Sequence, residues 1–289
     1  VNWQAGLVFK PTPETSLYAS YATAATPPNT LLGEGREDNA TIPGRNDPAT
    51  LTVDSLKVQK TRSFEAGAKA NLFDERLQLG LAGFQTDIRN ARVTDADNNV
   101  SFIGETRIRG VEFSANGTIL PGWTVFGGYT FLDAVVVDGG YTTLTAAKVG
   151  NQAAQTVAVV SVNTGKQVPQ TARHAVSIST NLALTKRLQI GGGAYYLSRQ
   201  YGGYADNRSA VQDAAGNVTV IPATKVLYRE IPGYWRFDAR ASLALTDHVD
   251  LSVNAQNLTD KTYFTQTYTN HYASIAAGRT VFGTIGVRF

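Results

Sequence analysis

The chain has 289 residues, 43% of them hydrophobic and 17% charged, with a formal net charge of +3 and no cysteine; its mean hydropathy is −0.16. The charge is too small to argue for nucleic acid, and without cysteine there is no disulfide framework and no thiolate chemistry. No run reaches 18 apolar residues, so no transmembrane helix is predicted, which leaves open membrane crossing by alternating strands.

Taken from the N-terminus, period-two alternation predicts eleven strands, over roughly 2–10, 16–24, 59–73, 76–93, 101–119, 123–137, 170–185, 187–202, 231–246, 248–266 and 279–289. Phe64, Ala66, Ala68, Ala70 and Leu72 share one face and Glu65, Gly67 and Lys69 the other. Later in the chain Trp235, Phe237, Ala239 and Ala241 oppose Arg236, Asp238 and Arg240. Many segments exceed the usual soluble strand of about 5–6 residues. They match the roughly 9–11 that a tilted strand needs to cross a bilayer.

The links alternate in length. Tight turns are predicted at Pro11–Thr15, Phe73–Glu75, Leu120–Gly122, Thr185–Lys186 and Thr246–Asp247. Longer polar links fall at Thr26–Val58, Ala96–Val100, Asp138–Pro169, Gly203–Glu230 and Tyr268–Ala277. Outer-membrane barrels keep short turns inside and long loops outside. On that parity the final strand runs inward, with Val281, Ile285, Val287 and Phe289 on one face, so Ile285, Val287 and Phe289 are expected to form an assembly signal. The polar face, with Glu65, Lys69, Glu112, Arg236, Asp238, Arg240 and Asp250, would line a wet interior, because unpaired charges are not tolerated in a dry core. Trp3, Tyr21, Trp123, Tyr196, Trp235 and Tyr263 are expected in interface girdles. A soluble sandwich or propeller would show shorter strands and regular turns instead. Gly191-Gly192-Gly193 lies mid-strand with no helix after it, and so marks close backbone approach and not a phosphate loop. His174, His248 and His271 have no metal-site spacing, and no enzyme is predicted.

Several segments resemble the C-terminal half of TonB-dependent siderophore receptors. They are Arg107-Ile108-Arg109-Gly110-Val111-Glu112-Phe113, Gly122-Trp123-Thr124-Val125-Phe126-Gly127-Gly128-Tyr129, Val168-Pro169-Gln170-Thr171-Ala172-Arg173-His174, Asn257-Leu258-Thr259-Asp260-Lys261-Thr262-Tyr263 and Gly278-Arg279-Thr280-Val281. Each match is weak alone; their common order makes them specific, and the catecholate branch looks similar. The resemblance implies an all-β, antiparallel up-and-down transmembrane barrel in the outer membrane of a Gram-negative bacterium, here about eleven of roughly 22 strands. Residues 1–289 would be its C-terminal portion, without the plug domain, the first-half strands and the TonB-contacting N-terminal region. It also implies ferric siderophore as ligand, with iron as cargo and no cofactor. Other implied partners are TonB, outer-membrane lipid and lipopolysaccharide, and the barrel-assembly machinery at the C-terminal strand. Bulky anionic ligands call for arginines and aromatics. Arg36, Arg45, Arg199, Tyr201, Tyr204, Arg208 and Arg229, in or beside outer loops, are the ligand candidates. A passive channel, a soluble β-rich binding protein and a barrel-embedded enzyme are the alternatives, in that order.

Overall fold

Side chains that alternate apolar and polar suit a sheet with two different surroundings, one on each face. The computed structural model describes residues 2–27, 57–94, 100–224, 227–268 and 272–288, and all of its regular structure is strand. In chain order these are β1 (Trp3–Thr12), β2 (Thr15–Thr26), β3 (Gln59–Leu72), β4 (Leu77–Thr94), β5 (Val100–Leu120), β6 (Trp123–Asp138), β7 (Tyr141–Ala146), β8 (Gln155–Val160), β9 (His174–Ala183) and β10 (Leu188–Leu197). There follow β11 (Gln200–Ala205), β12 (Ser209–Gln212), β13 (Val218–Ile221), β14 (Leu227–Ile231), β15 (Tyr234–Ala244), β16 (Val249–Gln256), β17 (Phe264–Tyr268), β18 (Tyr272–Ile275) and β19 (Thr280–Val287).

Eleven of these strands make one antiparallel meander, in the order β1-β2-β3-β4-β5-β6-β9-β10-β15-β16-β19. They correspond one for one to the eleven predicted segments. Every second connection is tight, such as Pro13-Glu14 after β1 and Pro121-Gly122 after β5. The turn after β3 holds Phe73, Asp74 and Glu75 at φ of 56°, 56° and 64°.

Register carries each face intact across the wall. Leu81 pairs with Ala68 and Phe113, Phe113 with Tyr129, Tyr129 with Val176, Val176 with Tyr196, and Tyr196 with Trp235. This apolar row is open to its surroundings: Leu81 is 53% exposed, Phe113 43% and Trp235 45%. Among the described residues the buried apolar side chains are few, namely Leu77, Ala134, Ala146, Ala210, Ile231 and Tyr263. The wall is therefore one layer thick and has almost no dry core. A large exposed apolar surface on a single layer is what lipid requires and water penalises.

The opposite face is polar and internally paired. Tyr18 Oη donates to Glu65 Oε1 at 2.7 Å. Arg236 stands 4.3 Å over the Tyr195 ring and pairs with Asp238 at 2.9 Å, and Arg288 pairs with Asp250 at 3.3 Å. The glycine run of β10 admits these groups. A Cβ on Gly193 would meet the Tyr195 ring at 2.8 Å, and one on Gly191 would meet Thr180 O at 2.7 Å. Close approach is thus its role.

The outer ends of the strands depart from the periodicity. The predicted segment 170–185 becomes a strand only at His174, because Gln170 takes a left-handed φ of 60°. The predicted 187–202 stops at Leu197, and residues 200–205 pair instead with β14. The predicted 248–266 ends at Gln256, where Asn257 turns left-handed at φ 52°. Tyr263 is accordingly not a girdle residue: it is buried and stacks on Tyr234 at 4.1 Å. Trp3 and Tyr21, at 5.3 Å, and Tyr196 and Trp235, at 4.9 Å, do pair on the apolar face. Trp123, at the opposite end of the wall, donates from Nε1 to Thr180 Oγ1 at 2.8 Å.

Candidate functional site

The links from β6 to β9 and from β10 to β15 carry regular structure of their own. Between β6 and β9 the chain forms the hairpin β7–β8, and β7 also meets β12 through a parallel bridge from Ala146 to Ala210. Between β10 and β15, β11 pairs with β14 and β12 with β13. Gln212 joins the two links, donating from Nε2 to the carbonyls of Ala147 and Ala153 at 2.8 Å and accepting from Gln155 at 2.8 Å.

Three of the predicted ligand residues come together here. Arg199, Tyr201 and Tyr204 line a cavity of about 610 Å³ with Lys166, Arg173 and Tyr228. Tyr201, Tyr204 and Tyr228 form a triangle of rings, with centroids 5.9, 5.4 and 6.4 Å apart. The triangle exists because Tyr204 and Tyr228 are register partners on β11 and β14, and an irregularity between Tyr201 and Gly203 brings Tyr201 beside them. Burial pushes the Tyr204 phenol above its ordinary range, and the Tyr201 phenol adds to that shift. Arg199 lies 3.9 Å from Glu230 and stays two-thirds exposed, so its guanidinium is available. His174 and Ser198 complete the floor; His174 is the partner of Phe131 in the wall, so the cavity opens beside the rim and not deep in the polar interior.

The other predicted residues have different fates. Arg208 is held by Asp206 through Nε at 2.9 and 3.0 Å and donates from Nη2 to Val160 O at 2.7 Å. It braces the loop from behind. Arg229 stands opposite Gly203 in the β11–β14 pair. Arg36 and Arg45 lie outside the described residues, as do His271 and Phe289. Ile285 is 70% and Val287 53% exposed on the apolar face, opposite Leu251 and Val249 of β16. Tyr228 is the member that periodicity missed. Its signal was faint: one aromatic next to Arg229 inside a long polar link.

The Asp206–Arg208 clasp carries a pH signature. Hydrogen bonds from Arg208 hold the Asp206 carboxyl below the usual carboxylate range. A depressed folded-state pKa adds stability above the unfolded value of about 3.9, and that stability is lost as pH falls from there through the folded pKa. The loop should therefore resist protease at pH 5 and become sensitive below about pH 4. Asp206→Asn should open it at every pH, and limited proteolysis followed by mass spectrometry reads both outcomes.

Comparison with known proteins agrees with this architecture. The family described as TonB dependent receptor-like, beta-barrel matches residues 1–258. The chain belongs to the TonB-dependent receptor family. It is 34% identical to the TonB-dependent receptor BfrD of Bordetella pertussis over 278 residues, covering 96% of this chain and 32% of that receptor. The crystal structure of the siderophore receptor PiuA from Acinetobacter baumannii superposes with a TM-score of 0.72 at 30% identity, over 99% of this chain and 35% of that one. The ferric-catecholate import receptor Fiu of Escherichia coli K12, in its closed form, gives a TM-score of 0.70 at 27% identity, over 100% and 35% of the two chains. The chain thus spans about a third of the length of these receptors. Family members are outer-membrane transport receptors, and the meander is a stretch of their barrel wall.

Proposed function

We propose that this chain is the C-terminal portion of an outer-membrane receptor that imports ferric siderophores, energised in the full-length protein through TonB. The observation that carries the proposal is the single-layer, eleven-stranded wall with an exposed apolar face and a paired polar face, in a chain belonging to this family. Eleven strands would be half of a roughly 22-stranded barrel. Iron travels as the siderophore complex, so the protein itself needs no metal or cofactor. The final strand, with Ile285, Val287 and Phe289, would be recognised by the assembly machinery.

The ligand fits the catecholate class by chemistry. Aromatic rings stack on aromatic rings, and an anionic complex is drawn to cations that are not already neutralised. Tyr201, Tyr204 and Tyr228 supply the first and Lys166 the second, beside Arg199 and Arg173, whose carboxylate partners lie at 3.9 and 3.5 Å. The deciding experiment is uptake of radiolabelled ferric catecholate by iron-starved cells carrying the full-length receptor gene, with and without TonB. Uptake independent of TonB would make the barrel a passive channel. The double variant Tyr201→Ala/Tyr204→Ala is expected to weaken ligand binding about tenfold, the size of a modest contact hot spot. Unchanged binding would remove the rim cavity from the ligand path while leaving the receptor assignment standing.

A further inference from the structure

One face of the β11–β14 ribbon gathers three aromatic rings and a carboxylate. Tyr201 stands opposite Glu230 and Tyr204 opposite Tyr228, and cross-strand partners share a face. Tyr228 and Glu230, two residues apart on β14, share it as well. The irregularity between Tyr201 and Gly203 offsets the alternation of β11, so Tyr201 and Tyr204 project together although they are three residues apart.

The rings form an open cage and not a stack. Their planes meet at 32°, 79° and 54°, and their centroids lie 5.9, 5.4 and 6.4 Å apart. Clamping a further aromatic ring between two of them would need about 7 Å, two van der Waals contacts of about 3.5 Å each. A catechol can therefore stack on the outer side of one ring, while the space between the rings suits a more compact group. A point central to the triangle lies well inside the roughly 6 Å over which a ring face attracts a cation. Glu230, at the edge of the cage, offers the counter-charge.

The surroundings fix what kind of cation can enter. Lys166, Arg173 and Arg199 line the same cavity, so a free amine would be repelled, and the positive group has to arrive on a ligand whose main body is anionic. Arg199 connects the two charges. It lines this cavity and also the adjoining hollow of about 680 Å³ that Glu230 borders. Its distance of 3.9 Å from Glu230 is too long for a hydrogen bond. A cation that takes Glu230 frees Arg199 to meet the anionic body.

We infer that Tyr201, Tyr204, Tyr228 and Glu230 cage an alkylammonium arm of the ligand, so that the receptor selects ferric siderophores carrying a positive arm beside their anionic iron centre. The inference rests on the siderophore reading above and adds to it the charge pattern of the ligand.

The test compares two ferric complexes on the full-length receptor, by isothermal titration at one ionic strength. One is formed by a catechol amide of lysine with a free ε-ammonium, the other by its Nε-acetyl twin, and both present the same catecholate centre. Net charge alone favours the acetyl twin, the more anionic of the two, in a cavity lined by three cations. The cage predicts the reverse, with the ammonium form bound about fivefold to tenfold more tightly. Tyr228→Leu and Glu230→Gln should each bring the two forms within about twofold of one another, whereas Tyr228→Phe keeps the ring face and should keep the preference. Equal affinity in the wild type, or a preference for the acetyl twin, would overturn the inference, and that comparison needs no variant to fold. A preference unchanged in both Tyr228→Leu and Glu230→Gln would put the ammonium elsewhere and overturn it too. If the receptor binds neither complex, the siderophore reading falls with it; if it binds both equally, that reading stands and the cage alone is refuted.

Discussion

Leu81→Arg is expected to cost about 2–4 kcal/mol of barrel stability and to lower the amount of receptor recovered in the outer membrane. Leu81 is 53% exposed and sits between Ala68 and Phe113 in the middle of the apolar face. In a lipid-facing wall the guanidinium must reach the interface or drag water inward. In a water-facing wall the same change would fall within about 0.5 kcal/mol, as surface substitutions do. The neighbouring Ala82, on the polar face between Gly67 and Glu112, supplies the control. Ala82→Arg should cost under about 1 kcal/mol, since Glu112 is at hand and the interior is wet. Urea midpoints in lipid vesicles measure both. Equal midpoints for the two variants would remove the lipid from the apolar face, and with it the barrel.

The wall was readable from sequence because its rule is local: a face alternates every second residue whatever the strand pairs with. The register is set where tight turns such as Pro121-Gly122 join neighbouring strands. The rim was not readable for three separate reasons. Gln170 delays the start of β9 and Asn257 ends β16 through left-handed backbone, which a non-glycine residue does not advertise. β12 and β13 are only four residues each, too short for a period to register. The meeting of Ala146 with Ala210, and of Tyr204 with Tyr228, depends on pairings between distant segments that alternation does not encode. So Arg199, Tyr201 and Tyr204 could be picked by residue type and location, while Tyr228 needed the pairing. Arg208 had the right chemistry but is committed to Asp206, a contact two residues away that only geometry distinguishes from a free cation.

Asn257→Leu is expected to destabilise the wall by about 3–5 kcal/mol, loosening β19 first. Asn257 is 2% exposed. Its Oδ1 accepts from Lys261 N at 2.9 Å, and its Nδ2 donates to Lys261 O at 3.0 Å and Ala277 O at 3.3 Å. Its own N–H donates to Asp238 Oδ1 at 3.0 Å, on β15. Three residues on, Asp260 Oδ1 accepts from Arg279 N at 2.7 Å, one residue before β19. The Asn257–Lys261 turn therefore ties the exit of β16 to β15 on one side and to the entry of β19 on the other. Leucine removes the side-chain partner of the Lys261 N–H and carbonyl and of the Ala277 carbonyl, groups that water can partly reach, at about 0.5–1.5 kcal/mol for each hydrogen bond lost. It also resists the left-handed φ of 52°, which costs a further 1–2 kcal/mol or so. Asn257→Gly separates the two causes, because glycine keeps the backbone conformation and loses only the hydrogen bonds. The glycine variant should recover roughly 1–2 kcal/mol relative to leucine. Hydrogen exchange of the β19 amides, read beside the urea midpoint, locates the loss. Glycine and leucine variants of equal stability would show that backbone strain plays no part, and if both match wild type the turn does not hold the last strand at all.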